Sequence, residues 1–245
     1  ISTEEVSRLM ALAYEKNLPV TPRGAGTNLV GSTVPDGGLV LDFTRMNRVL
    51  EIDEETFTAT VEPGVILEDF QKLAEERGLF YPPDPGEKKA SIGGNISTNA
   101  GGMRAVKYGV TRDYVMGLEL VLSDGTIITA GGKNRKDTSG LDLKELVVGS
   151  EGTLAIITKC VLKLIPKPEE SLSVLVSFNS LREGIESVRE VIKANVNPTA
   201  VEFIERDVVK LGEDFLGYEF PEADASAYVL LTFDGSAKEI EAHLD

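Results

Sequence analysis

Histidine is nearly absent from this chain: the one present, His243, stands close to the end of 245 residues. A Ser-His-Asp triad and any multi-histidine metal site are therefore excluded, because each needs imidazoles held in the body of the fold. No metal ligand set and no catalytic residue can be named. Any chemistry must come from a cofactor or from residues outside this chain. Cysteine is equally scarce. Cys160 is the only one, so there is no internal disulfide, and its place in the apolar run 156–164 marks a buried thiol. No run of about 18 apolar residues is available for a membrane span, and the first residues lack the basic, apolar, small-residue order of a signal peptide. The cytoplasm is the expected compartment, with membrane association only through a partner. Bases are also few: 25 Lys and Arg against 40 Asp and Glu leave a net charge of −15. Such a surface repels a nucleic-acid backbone, so nucleic acid is not an expected partner. Acidity mainly keeps the chain soluble, although a local nest of amides can still hold an anion.

What remains is a chain with 42% hydrophobic residues, enough for one or two cored domains. Residues 2–16 open with a Ser/Thr cap followed by Glu4 and Glu5. Val6, Leu9, Met10, Ala13 and Tyr14 then share a helical face. Residues 18–21 and 39–43 read as strands, and 49–52 with 56–61 as a hairpin. Residues 66–77 read as a helix with Leu67, Phe70, Leu73 and Ala74 inward and Gly78 as its C-cap. Three prolines make 81–86 an ordered loop. Segments 119–122 and 126–130 flank the turn Ser123-Asp124-Gly125. After a polar loop over 133–139, residues 143–148 lead to Gly149-Ser-Glu-Gly-Thr153, and an apolar strand follows over 154–164. Prolines and charges over 165–170 mark a domain boundary, giving domains 1–166 and 167–245. Beyond it, strands at 171–178, 199–204 and 227–233 alternate with helices at 180–194 and 207–216, an α/β order. The helix that starts at Ser236 stops with the chain, and the expectation is a fragment of a longer protein.

Four loops carry the functional signal: 22–31, 81–86, 91–102 and 149–153. The third, Ser91-Ile-Gly-Gly-Asn-Ile-Ser-Thr-Asn-Ala-Gly-Gly102, has four glycines, two asparagines and three apolar side chains. Glycine lets a backbone approach a ligand, and Asn, Ser and Thr add short hydrogen-bonding arms. Read alone, it is equally a turn-rich loop. Neither Gly24-Ala-Gly26 nor Gly149-Ser-Glu-Gly152 fits the dinucleotide fingerprint G-x-G-x-x-G or the P-loop.

Taken together, six segments resemble the FAD-binding domain of the vanillyl-alcohol oxidase (PCMH-type) superfamily, in particular its branch of FAD-linked glycolate oxidases and D-lactate dehydrogenases. They are Pro22-Arg-Gly-Ala-Gly-Thr-Asn28 with Gly31-Ser32, Val61-Glu-Pro-Gly64, Tyr81-Pro-Pro-Asp-Pro85, the run 91–102, Lys107-Tyr-Gly-Val-Thr-Arg-Asp113, and Val148-Gly-Ser-Glu-Gly-Thr-Leu154. The resemblance implies an α+β fold: a PCMH-type FAD-binding domain of two α+β subdomains, then the first part of an α/β substrate cap.

It also implies roles. Arg23, Gly24, Ala25, Gly26, Thr27 and Asn28, with Gly31 and Ser32, would wrap the FAD pyrophosphate. Pro83, Asp84, Gly93, Gly94, Asn95, Thr98, Asn99, Gly101 and Gly102 would line the dinucleotide, with Tyr108 and Gly109 beside them. Glu151, Gly152 and Ile156 would close the adenosine side. Relatives that attach FAD covalently in the first loop use a histidine where this chain has Thr27, so non-covalent FAD is expected. The implied activity is oxidation of a D-2-hydroxy acid, such as glycolate or D-lactate, to the 2-oxo acid. Electrons would pass to an electron-transfer flavoprotein, an iron–sulfur subunit or a quinone. The base, the carboxylate-binding arginines and the metal segment would lie beyond residue 245. Rival readings are a non-catalytic FAD-binding or electron-relay subunit, and an alkyl-glycerone-phosphate synthase-like or aldonolactone oxidase-like reaction on the same scaffold.

Overall fold

The computed structural model describes residues 2–244. The backbone separates into two compact units, one of residues 1–102 with Gly109–Lys167, the other of Met103–Tyr108 with residues 168–245.

The first unit begins with helix α1 (Thr3–Glu15). The Ser2 hydroxyl accepts from the Glu5 amide at 3.3 Å and the Glu5 carboxylate accepts from the Ser2 amide at 2.9 Å, a closed capping box. It buries Val6, Met10 and Ala13, and the first two pack on Leu41, Phe43 and Met46. Leu9 and Tyr14, expected on that face, are exposed. Each sits one residue off the 6-10-13 stripe; strands β1 (Val20–Arg23) and β2 (Leu39–Asp42) form a two-stranded parallel sheet. Strand β1 starts later than the sequence suggests and ends at the first functional loop.

The hairpin β3 (Val49–Asp53) and β4 (Thr58–Val61) joins a five-stranded antiparallel sheet. Helix α2 (Leu67–Glu75) lays Leu67, Phe70 and Ala74 inward, and β5 (Leu79–Phe80) follows. Phe70 meets Tyr81 edge-on at 5.2 Å and Tyr81 meets Tyr114 at 5.9 Å, so the proline loop is anchored by a buried aromatic. Burial pushes the Tyr81 hydroxyl well above its ordinary pKa and Tyr114 up to about 12.

The run 91–102, read from sequence as a loop, contains helix α3 (Ile92–Thr98). Tertiary packing overrides its glycines. Ser91 caps the helix, and a Cβ at Gly93 would lie 2.5 Å from Pro63 Cβ. The helix exists where only glycine can lie that close to its neighbour.

Helix α4 (Ala105–Tyr108) falls in the second unit. Back in the first, a 3-10 turn (Thr111–Tyr114) leads to β6 (Val115–Val121) and β7 (Ile127–Gly131). After helix α5 (Leu143–Val147), β8 (Ile156–Lys163) completes the sheet in the order β3-β4-β8-β6-β7, and β9 (Ile165–Pro166) pairs with β5. Cys160 is fully buried in β8, where burial raises its thiol pKa.

In the second unit β10 (Glu170–Phe178), α6 (Leu181–Lys193) and β11 (Ala200–Glu205) are followed by α7 (Arg206–Leu216), β12 (Ala227–Gly235) and α8 (Ala237–Leu244). Strand β12 lies antiparallel between β10 and β11, making a split β-α-β layer. Asp234 on β12 accepts from Lys107 Nζ at 2.5 Å, Tyr108 Oη at 2.9 Å and Thr199 Oγ1 at 2.6 Å. These bonds bind α4 to this sheet. Among the described residues no helix is long and apolar enough to cross a membrane, and no cluster of His, Cys, Asp and Glu could hold a metal ion.

Candidate functional site: a cleft walled by amides

A cleft of about 480 Å³ lies in the first unit between the loop after β1, helix α3 and the turn before β8. That is within the volume range of small-molecule and cofactor sites. It is lined by Arg23, Gly24, Ala25, Gly26, Thr27, Asn28 and Ser32 from the first wall, Gly93, Gly94, Asn95 and Thr98 from the second, and Glu151, Gly152 and Ile156 from the third. Segments far apart in sequence thus meet around one space.

Local chemistry fixes each wall. Asn28 accepts from the Ser32 amide at 3.0 Å and donates to Thr33 Oγ1 at 3.1 Å, closing its loop. The Ser91 hydroxyl accepts from Gly94 N and from Ala25 N, both at 3.3 Å, and so joins the first wall to the second. A Cβ at Gly24 would stand 2.1 Å from Ser91 Oγ. Glycine there is the condition for that junction. The third wall docks on the end of α3, with Gly149 N donating to Ile96 O at 3.0 Å and Glu151 N to Ser97 O at 2.8 Å.

One lining side chain is left unsatisfied. Asn95 is 4% exposed, lines the cleft, and its Nδ2 has no hydrogen-bond partner among the described residues. A buried amide without a partner costs about 1–3 kcal/mol, and on a cleft wall it is placed to donate to an acceptor brought by a ligand or a water. A Cβ at Gly94 would meet only Ser91 Oγ, at 3.0 Å, on the wall of the same cleft. Arg23 is the one cation among the lining residues, against Glu87 and Glu151, and no lining residue is His, Lys, Cys or Tyr. Such walls bind and orient by amides and hydroxyls. They carry no imidazole for proton transfer.

Several residues expected at the site are not among those lining this cleft. Gly31, Pro83, Asp84, Asn99, Gly101, Gly102, Tyr108 and Gly109 do not line the cleft. The Pro83 carbonyl accepts from Gln71 Nε2 at 2.9 Å, and buried Asp84 is ion-paired with Lys88. Asn99 ends α3 in the left-handed region at φ 49°, and its Oδ1 accepts from Arg112 N at 2.9 Å. Gly102 is glycine for packing, since a Cβ would stand 1.8 Å from Asp84 O, and Gly109 for its left-handed backbone at φ +80°. Tyr108 belongs to the second unit. Thr98 lines the cleft, yet its hydroxyl donates to Gly94 O at 3.1 Å within its own helix. Sequence reasoning missed Phe43, Pro63 and Ser91 as lining residues. Ser91 was within reach, since Ser before Ile-Gly-Gly is an N-cap once the segment is read as a helix.

Comparisons with known proteins identify the family of this chain. Residues 1–131 match the family described as "FAD binding domain" and residues 167–244 that described as "FAD linked oxidases, C-terminal domain". The chain is 47% identical over 246 aligned residues to the glycolate oxidase subunit GlcD of Bacillus subtilis, covering 100% of this chain and 52% of that protein. It is 46% identical to the D-lactate dehydrogenase of Anaerostipes hadrus, covering 97% of this chain and 51% of that one. A solved alkyldihydroxyacetonephosphate synthase superposes with a TM-score of 0.84 at 26% identity, over 99% of this chain and 47% of the other. p-Cresol methylhydroxylase, at 20% identity and TM-score 0.79, shares the fold. The chain spans about half the length of the curated relatives it matches.

Proposed function

The chain belongs to the FAD-binding-domain family of FAD-linked oxidases, whose cofactor is FAD, and from that premise we propose that the amide-walled cleft holds FAD without a covalent bond. The observation that carries the placement is the buried, unpartnered Asn95 amide on the cleft wall. Residues 23–28 and Ser32 would receive the dianionic pyrophosphate on backbone amides beside the Arg23 guanidinium. Gly93, Gly94 and Asn95 would lie along the dinucleotide, and Glu151, Gly152 and Ile156 would close its far end. Thr27 offers a hydroxyl where covalent relatives carry histidine, which supports a dissociable cofactor.

We further propose that the whole protein oxidises a D-2-hydroxy acid to the 2-oxo acid, residues 1–166 forming the cofactor part and 167–245 beginning the cap over the substrate. Bound FAD supplies the hydride acceptor. This chain's residues supply position and an amide-lined wall for it. Glycolate and D-lactate are the substrates suggested by the relatives' names, and the electrons would leave to a flavoprotein, an iron–sulfur subunit or a quinone. The 26% identical synthase with its TM-score of 0.84 favours a second reading, a different reaction on the same scaffold.

The test has two stages. The purified chain, titrated with FAD, is expected to show the visible absorbance of bound oxidised flavin; no uptake at saturating FAD would sink the cleft assignment. In the full-length protein, anaerobic D-lactate or glycolate should bleach the flavin. Flavin that stays oxidised with every D-2-hydroxy acid tried would overturn the dehydrogenase reading and leave the second one standing.

A further inference from the structure

Arg112 lies outside the cleft, in the 3-10 turn, and ties together two of the cleft's walls from behind. Its backbone amide donates to Asn99 Oδ1 at 2.9 Å, at the C-terminal cap of α3. Its guanidinium donates through Nη2 to the Val148 carbonyl at 3.2 Å, while Nη1 pairs with Glu145 Oε2 at 3.1 Å. Val148 directly precedes the turn that forms the third wall. Within that turn Gly149 has φ +84° and Glu151 has φ +53°, a left-handed setting that a non-glycine residue adopts only when its surroundings impose it. Two backbone bonds hold the turn to α3, from Gly149 N to Ile96 O and from Glu151 N to Ser97 O. The strained residue is also a lining residue.

We propose that Arg112 is a positioning residue for the cofactor cleft: it holds the α3 cap and the 149–152 turn in mutual register, so that Asn95 and Thr98 on one wall face Glu151 and Gly152 on the other. This inference rests on the reading that the cleft binds FAD. The Glu145 ion pair is half-exposed and contributes little by itself. The weight falls on the fork, in which one planar guanidinium reaches a carboxylate and a main-chain carbonyl together. A lysine ammonium keeps the charge but cannot span both acceptors in that geometry.

The whole chain is compared as wild type, Arg112→Lys, Arg112→Ala and Arg135→Ala, the last altering an exposed loop arginine away from the cleft. FAD affinity is measured by titration, the geometry of bound flavin by visible circular dichroism, and the fold by the melting temperature of the FAD-free protein. The expected result is FAD binding about tenfold weaker in both Arg112 variants. Their flavin circular dichroism should be altered, melting nearly unchanged, and Arg135→Ala should behave as wild type. Affinities within about twofold of wild type would overturn the role of Arg112, and so would losses that merely track a lower melting temperature. Should Arg112→Ala fail to fold, Arg112→Lys still decides. Wild-type chain that takes up no FAD would overturn the cleft reading instead, so the two failures are distinguishable.

Discussion

Asn95 is the buried side-chain amide on the cleft wall. Its amide nitrogen is buried without a protein partner among the described residues, so it costs the fold free energy until an acceptor reaches it. Replacing it with leucine, an apolar side chain of the same branching, should leave thermal stability of the FAD-free chain unchanged or raised by up to about 1 kcal/mol. The same change should weaken FAD binding about tenfold or more, read by flavin titration. A drop in stability with unaltered FAD affinity would make Asn95 a core residue. The resemblance implies Asn95 as a hydrogen-bonding arm toward the cofactor, and the fold puts it on the cleft wall. Asn99 looked the same and differs in role: it stands four residues on at the helix end, where its carbonyl oxygen takes the Arg112 amide. Which neighbour an amide finds is not written in its immediate sequence.

Among the elements, α3 decides the site's shape. Its N-terminus is set by one hydroxyl that accepts from Gly94 N in its own helix and from Ala25 N in the opposite wall. Ser91→Ala should therefore cost about 0.5–2 kcal/mol from the lost cap, measured by chemical denaturation of the FAD-free chain. FAD affinity should fall as well, because the first wall loses its tie. A change in stability below about 0.3 kcal/mol would show that the cap contributes nothing. The capping box of α1 and the β3-β4 and β6-β7 hairpins were readable from local pattern, since each is stabilised by near neighbours in sequence, and β8 was readable from its apolar run although its partners β4 and β6 are distant. Helix α3 was not. Its glycines argue against a helix by propensity, and only contact with Pro63 and Ser91 shows why they are tolerated.

For the whole molecule, the telling segment is Met103–Tyr108, which leaves the first unit and groups with the second. The resemblance implies Tyr108 among the cofactor-binding residues; its hydroxyl and the Lys107 ammonium donate to Asp234. The pair is largely buried, with Lys107 and Asp234 side chains 19% and 6% exposed, so the carboxylate is hard to replace. Asp234→Ala should destabilise the second unit by about 2 kcal/mol or more. Amide hydrogen exchange over residues 104–108 should rise with it. Exchange that stays at the wild-type rate would mean that the segment is held by other contacts.

The sequence by itself determined the classes of chemistry open to this chain. Its lack of histidine ruled out a triad and a histidine metal site, and its six spaced segments carried the FAD-linked oxidase family. It also determined most elements, because caps, turns and alternation act over a few residues. Tertiary structure decided which glycines and amides face the cleft. Gly24 and Gly94 stand on its walls, while Gly102 is glycine because the Asp84 carbonyl lies where a Cβ would be, and Gly109 because its backbone takes φ +80° beside Asp113. In the sequence these glycines look alike. For Gly24 and Gly102 the difference lies in atoms brought from elsewhere in the chain, and only long-range packing puts them there.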